Sequence, residues 1–226
     1  MRRIVDLSLP IENNWNWDVN LRLVTSHKAG DPWQMTGYDL VSHEFTHIDA
    51  PSHHDPNGVD LDAYPIQDWA ITECLLLDLT DVGDNVEITA QMLEKANEPF
   101  RDRHYDTIIL RTDRPRKVSW KTHEFWDNSC WVSKEGAEWI KDYKPEMVGY
   151  DFAQDYEIRK APYLKPGESI YQPVHDVVLK EGKILQLEFL TNLWEIGQPT
   201  CTLIALPLKL NHADGGQVRA IAVVEE

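Results

Sequence analysis

Apolar residues fall in short runs separated by turn-forming stretches, at residues 4–9, 74–79, 107–111, 147–152, 184–190, 202–210 and 218–224. The runs are continuous and rich in β-branched and aliphatic residues, the pattern of strands covered on both faces. Two segments carry a helical pattern instead. Thr89 can cap a helix over residues 90–96, with Met92, Leu93 and Ala96 on its inner face, and Ser133 can cap one over residues 134–142, with Ala137 and Ile140 inward. The turn-rich sequence Asn211-His212-Ala213-Asp214-Gly215-Gly216 predicts a hairpin between the last two strands. Strands outnumber helices, which predicts an α+β or mixed α/β fold with a large, partly antiparallel sheet. The chain shows no internal repeat, low-complexity tract or Pro/Gly/Ser-rich boundary, so residues 1–226 are expected to form a single domain.

Composition narrows the function. At 226 residues the chain is long enough to bury most of its apolar surface without disulfides. A formal charge of −16 argues against partners that present phosphate backbones or anionic membrane surfaces. The one basic cluster, residues 111–117, is interrupted by Asp113 and Pro115 and reads as a solvated loop. Cys74, Cys130 and Cys201 are odd in number and far apart, which predicts reduced thiols. No run approaches the ~18 apolar residues of a membrane span, and a cytoplasmic location is expected.

The chemistry concentrates in one stretch. Four of the nine histidines lie between His43 and His54, with Asp49 among them. Imidazole and carboxylate are ligands that zinc and manganese accept, so the cluster reads as a divalent-metal site. His43, His47, Asp49 and His53 share odd numbers, and in an extended segment residues two apart project to one face. In a helix Asp49 would lie about 200° around from His47, and Pro51 would interrupt the turn. The spacing therefore predicts a strand end or loop presenting these four, with His54 facing away.

The stretch His43-Glu44-Phe45-Thr46-His47-Ile48-Asp49-Ala50-Pro51-Ser52-His53 resembles the signature His-x-Gly-Thr-His-x-Asp-x-Pro-x-His of the cyclase-type metal-dependent hydrolases, the family of bacterial kynurenine formamidase and isatin hydrolase. It departs at Phe45, where the family usually has glycine. The likeness extends through residues 4–11, 108–112, 188–193, 205–210 and 214–220, close to the full length. It implies a β-rich swivelling β/β/α architecture, usually in a homo-oligomer (dimer or tetramer). It also implies hydrolysis of an acyl C–N or C–O bond in a small aromatic or cyclic substrate, with arylformamidase-like amide hydrolysis favoured. Ring opening of a cyclic amide or lactone, as by isatin hydrolase, and a non-catalytic metal-binding module are the alternatives.

The resemblance further implies the metal-ligand set His43, His47, Asp49, His175 and Glu188 around Zn2+ or Mn2+. Gln186, on the same predicted strand face as Glu188, is a competing ligand. His53, beyond the ligands, is expected to act as the catalytic base, taking a proton from water and passing it to the leaving group. Trp15, Trp17 and Phe45 are the expected substrate-binding aromatics. If the family glycine serves a positive φ, Phe45 meets a backbone demand that phenylalanine satisfies poorly.

Overall fold

The computed structural model describes residues 1–225. Its strands are β1 (Arg2–Asp6), β2 (Arg22–Thr25), β3 (Met35–Gly37), β4 (His47–Asp49), β5 (Ile71–Asp78), β6 (Glu87–Ile88), β7 (Thr107–Arg111), β8 (Trp131–Val132), β9 (Met147–Tyr150), β10 (Leu185–Glu188), β11 (Thr200–Pro207) and β12 (Gly215–Glu225). The main sheet runs β1-β12-β11-β5-β7-β9-β10-β4, and β4 pairs again with β12, so seven of these strands close into a ring. One edge of β12 serves both neighbours in turn: residues 215–217 pair with β4 and residues 221–225 with β1. The β5–β7, β7–β9 and β9–β10 pairs are parallel and the rest of the ring is antiparallel. The fold is thus a mixed α/β barrel with few helices. Among the described residues no helix is long and apolar enough to cross a membrane.

Period-2 alternation sorts each strand between two environments. Cys74, Leu76, Ile109, Met147, Leu185, Leu187 and Ile48 fill the barrel interior. Leu75, Leu77, Ile108, Leu110, Val148 and Tyr150 form a second core outside it. Helices Ala90–Asn97 and Lys134–Tyr143 and the wide helix His175–Glu181 connect the parallel strands, and buried residues of all three join that second core. Apolar packing on both faces is why these strands read as continuous runs. The helix starts follow from their caps: Thr89 accepts from the Met92 N–H, and Ser133 Oγ accepts from the Gly136 N–H at 2.9 Å.

The outer face changes character at β10 and β4. There the positions equivalent to Val148 and Tyr150 are Gln186 and Glu188, and those opposite them are Asp49 and His47. A polar patch is therefore built into a sheet face that is apolar along the neighbouring strands β7 and β9.

Several expected boundaries shift. The run 184–190 ends as a strand at Glu188, because Phe189 and Asn192 take positive φ values of 54° and 56° and turn the chain away. The last hairpin forms between β11 and β12, but its connection also docks on the histidine segment, where the Ala50 N–H bonds the Asp214 carbonyl at 2.9 Å. The β2–β3 ribbon and the His175–Glu181 helix carry no sequence signal that predicted them. The histidine segment is extended only over β4. Pro51 opens a single 3-10 turn, Pro51–His53, at a position where its missing N–H costs nothing, so strict alternation does not continue to His53.

Candidate metal centre

Four carboxylate oxygens and three imidazoles converge on the outer face of β4 and β10. Asp49 Oδ1 lies 2.8 Å from His43 Nδ1 and 3.0 Å from His47 Nε2, and Asp49 Oδ2 lies 3.4 Å from His175 Nε2. Glu188 Oε1 is 3.3 Å from the same His175 nitrogen, and Glu188 Oε2 is 3.8 Å from His47 Nε2. Two donor groups result, His43/His47/Asp49 and Asp49/His175/Glu188, each with its ligand atoms within 4.8 Å of one another. Asp49 belongs to both and offers one oxygen to each.

Each imidazole is held from behind. His47 Nδ1 donates to the Phe45 carbonyl at 2.8 Å, His175 Nδ1 lies 2.6 Å from Asp155 Oδ2, and His43 Nε2 lies 2.8 Å from Asp214 Oδ2. Fixing the outer nitrogen sets the tautomer and turns the inner nitrogen toward the carboxylates, the arrangement that metal-ligating histidines adopt. Gln154 donates to Glu188 Oε1, and Asp155 also accepts the backbone N–H of Val174 at 2.9 Å.

The site is short of positive charge. Burial alone would depress the His43 pKa, yet Asp49 and Asp214 overcome it and hold the group at about 9. His175, completely buried, is likewise raised well above its ordinary value against that burial by Asp155, Asp49 and Glu188. Asp49 is lowered well below the usual carboxylate range, because His43 and His47 outweigh its desolvation. Its Oδ2 is buried without a hydrogen bond, as are both amide atoms of Gln186 and the Tyr150 hydroxyl. An imidazole-and-carboxylate donor set with no thiol, an orphaned carboxylate oxygen and protons drawn in to balance charge together fit a divalent cation such as zinc or manganese.

A cavity of about 640 Å³ opens in front of these donors. His53 lines it, stacked on His43 at 3.7 Å between ring centroids, with Nδ1 3.5 Å from Asp214 Oδ2. Burial first, and then the charges of His43, His175 and His54, lower the His53 pKa to about 4 against the pull of Asp49. His53 is therefore neutral at pH 7.

The expected aromatic residues separate. Trp17 lines the cavity. Trp15 does not: it stacks on His123 at 3.8 Å. Phe45 is 1% exposed and packs on Trp17 at 4.7 Å without lining the cavity, so it supports the wall without forming it. Its φ is +56°, the conformation that favours glycine. Gln186 faces the same side as Glu188 yet joins neither donor group.

His54 faces the cavity, against expectation, because the 3-10 turn after Pro51 rotates it onto His175, with ring centroids 4.6 Å apart. Sequence reading also missed Asp214, Asp155, Trp126 and Phe189. Asp214 sits in a string of turn residues, where aspartate ordinarily needs no further explanation.

Residues 5–154 match the family model described as "Putative cyclase". A kynurenine formamidase of Erythrobacter litoralis is 28% identical over 97% of this chain and 93% of its own length. Cyclase-like protein 3 of Arabidopsis thaliana is 29% identical over 98% of this chain and 80% of its own. Among solved structures, isatin hydrolase A from Labrenzia aggregata, bound to benzyl benzoate, superposes with a TM-score of 0.76 at 21% identity, covering 100% of this chain and 94% of its own.

Proposed function

The chain belongs to the cyclase family, and from that membership we propose that it is a metal-dependent hydrolase cleaving an acyl C–N or C–O bond in a small aromatic or cyclic substrate. Hydrolysis of an N-formyl arylamide is the favoured reaction, in keeping with the formamidase among its relatives. The observation that carries the reading is the pair of buried donor groups sharing Asp49, each histidine already anchored at its outer nitrogen. In this reading His43, His47 and Asp49 hold one zinc or manganese ion, and Asp49, His175 and Glu188 hold a second. A divalent cation there supplies Lewis-acid polarisation of a carbonyl and makes a nearby water more acidic.

The remaining roles fall to the protein's own groups. His53, neutral at pH 7 and steadied at Nδ1 by Asp214, takes a proton from the attacking water at Nε2 and returns it to the departing nitrogen or oxygen. Trp17, Trp126 and Phe189 offer flat apolar surface for the substrate ring. Three buried cysteines without disulfide partners support a reducing, cytoplasmic setting. The β2–β3 ribbon exposes Leu23, Val24 and Met35, which supports a homo-oligomer.

A second reading, ring opening of a cyclic amide or lactone, is favoured by the buried and unpartnered Gln186 amide directly opposite Asp49. One experiment tests both. Protein stripped by a chelator and reloaded with zinc or manganese is assayed on N-formylkynurenine, isatin and simple lactones. Activity should vanish on stripping and return on loading, and which substrate turns over decides between the readings. Full turnover by protein shown to be metal-free contradicts the proposal. His53→Ala should keep its metal and lose about 10²- to 10⁴-fold in turnover; an undiminished rate would leave only a metal-binding module.

A further inference from the structure

Away from the histidine and carboxylate donors, charge around the cavity is one-sided. The chain has 22 lysines and arginines, yet none lines the cavity, whereas Glu44 and Glu168 line it in addition to the donor carboxylates. Glu44 Oε2 accepts the Val41 N–H at 3.2 Å and Glu168 Oε2 accepts the Lys165 N–H at 3.0 Å; among the described residues neither carboxylate is ion-paired with a lysine or arginine. Elsewhere in the protein Glu12, Glu157 and Glu181 are each paired with a lysine. The two glutamates of the cavity are left with charge to spend on something else.

Rings line the same cavity. Trp17 meets Trp126 at 5.8 Å and Phe189 at 5.4 Å, both edge to face, and all three line the cavity. A cavity lined by both aromatic rings and carboxylates suits ammonium groups, through the ring quadrupole and through charge-assisted hydrogen bonds. At the other end, the buried and unpartnered Asp49 Oδ2 marks the donor cluster, where an acyl oxygen is drawn. The cavity is polar in a defined sense, with acyl chemistry at one end and cation recognition along its walls.

Resting on the hydrolase reading above, we propose that the site selects substrates bearing a positively charged amine on the ring or alkyl part remote from the scissile acyl bond, and disfavours anionic ones. Glu44 and Glu168 are the residues that set this preference.

The test uses metal-loaded protein and three N-formyl arylamines of matched size, carrying an aminomethyl, a hydroxymethyl or a carboxylate substituent on the ring. We expect kcat/KM for the cationic compound to exceed that for the neutral one by about tenfold, the scale of a unit charge pair in a half-buried pocket, and the anionic compound to be worst. The cation-to-neutral ratio should shrink in high salt and in Glu44→Gln, and shrink further in Glu44→Gln/Glu168→Gln. Equal rates for all three, an anionic preference, or a ratio unmoved in the double variant overturns the proposal. If none of the three turns over, the N-formyl arylamide reading is what has failed. The selectivity is then read from equilibrium binding of the corresponding ring-substituted anilines to the same metal-loaded protein, where equal affinities overturn it.

Discussion

Replacing Phe45 by alanine and, separately, by glycine should reverse the order in which those two residues ordinarily rank. Both changes remove a ring that is 1% exposed and packed on Trp17, a loss of about 3–5 kcal/mol for a buried phenylalanine. They differ in backbone cost. At an ordinary position glycine is the worse of the two by about 0.5–1 kcal/mol, because it loses more freedom on folding. At φ +56° the penalty falls on any residue with a Cβ, and alanine there is disfavoured by more than that entropy difference. Phe45→Gly should thus be more stable than Phe45→Ala by about 1 kcal/mol, or about 2–4 °C in Tm for a chain of this size. Denaturant unfolding of the two variants side by side measures the gap. The Phe45 carbonyl, which orients His47, is kept in Phe45→Gly, so its metal content should match the parent protein. Equal stabilities, or an alanine variant above the glycine one, would refute the claim that strain is held at this residue.

Alanine at His47 or Asp49 should abolish metal retention and turnover together, read by elemental analysis and activity of the same sample, since Asp49 serves both donor groups. Asp214→Asn should weaken metal binding about 10- to 100-fold while leaving the fold intact, because it loosens the carboxylate behind His43; competition with a chromogenic chelator measures it. In metal-free protein, His43 titrates near 9 when folded against an ordinary 6.5, so the stability it contributes is present below pH 6.5 and lost as pH rises through 9. That contribution is about 3 kcal/mol by linkage, measured by unfolding in a chelator at pH 6.5 and 9.5. Metal-loaded protein should show the opposite trend, because protons compete with the cation for the imidazoles.

Much of this was legible in the residues. Strands β7, β9 and β10 appeared as continuous apolar runs because packing on both faces removes the alternation that a half-exposed strand would show. His43, His47 and Asp49 announced themselves by residue type and spacing. His175 and Glu188, in contrast, came from resemblance alone, and the structure brings them beside Asp49 through the parallel crossover from β9 to β10. His54 was misplaced because alternation was extended past Pro51, where the backbone leaves the extended region. Asp214 carries no local signal, since its role depends on the closure of β12 against β4 across the whole chain. Nor does Phe45 announce its left-handed backbone, a conformation imposed by its surroundings against its own preference.

That closure also sets when the site can exist. Strand β4 is three residues long, and its partners are β10 and β12. During synthesis the early histidines leave the ribosome on the order of ten to thirty seconds before the final strand, at ordinary elongation rates. On the proposed ligand set, a nascent chain therefore holds half of the donors with nothing to complete them, and a truncation before residue 214 should weaken metal retention by removing β12 and the Asp214 carboxylate behind His43. On the proposed ligand set, metal acquisition should follow the closure of β12 on β4, and the ion taken should be decided by the free pool that the closed barrel meets.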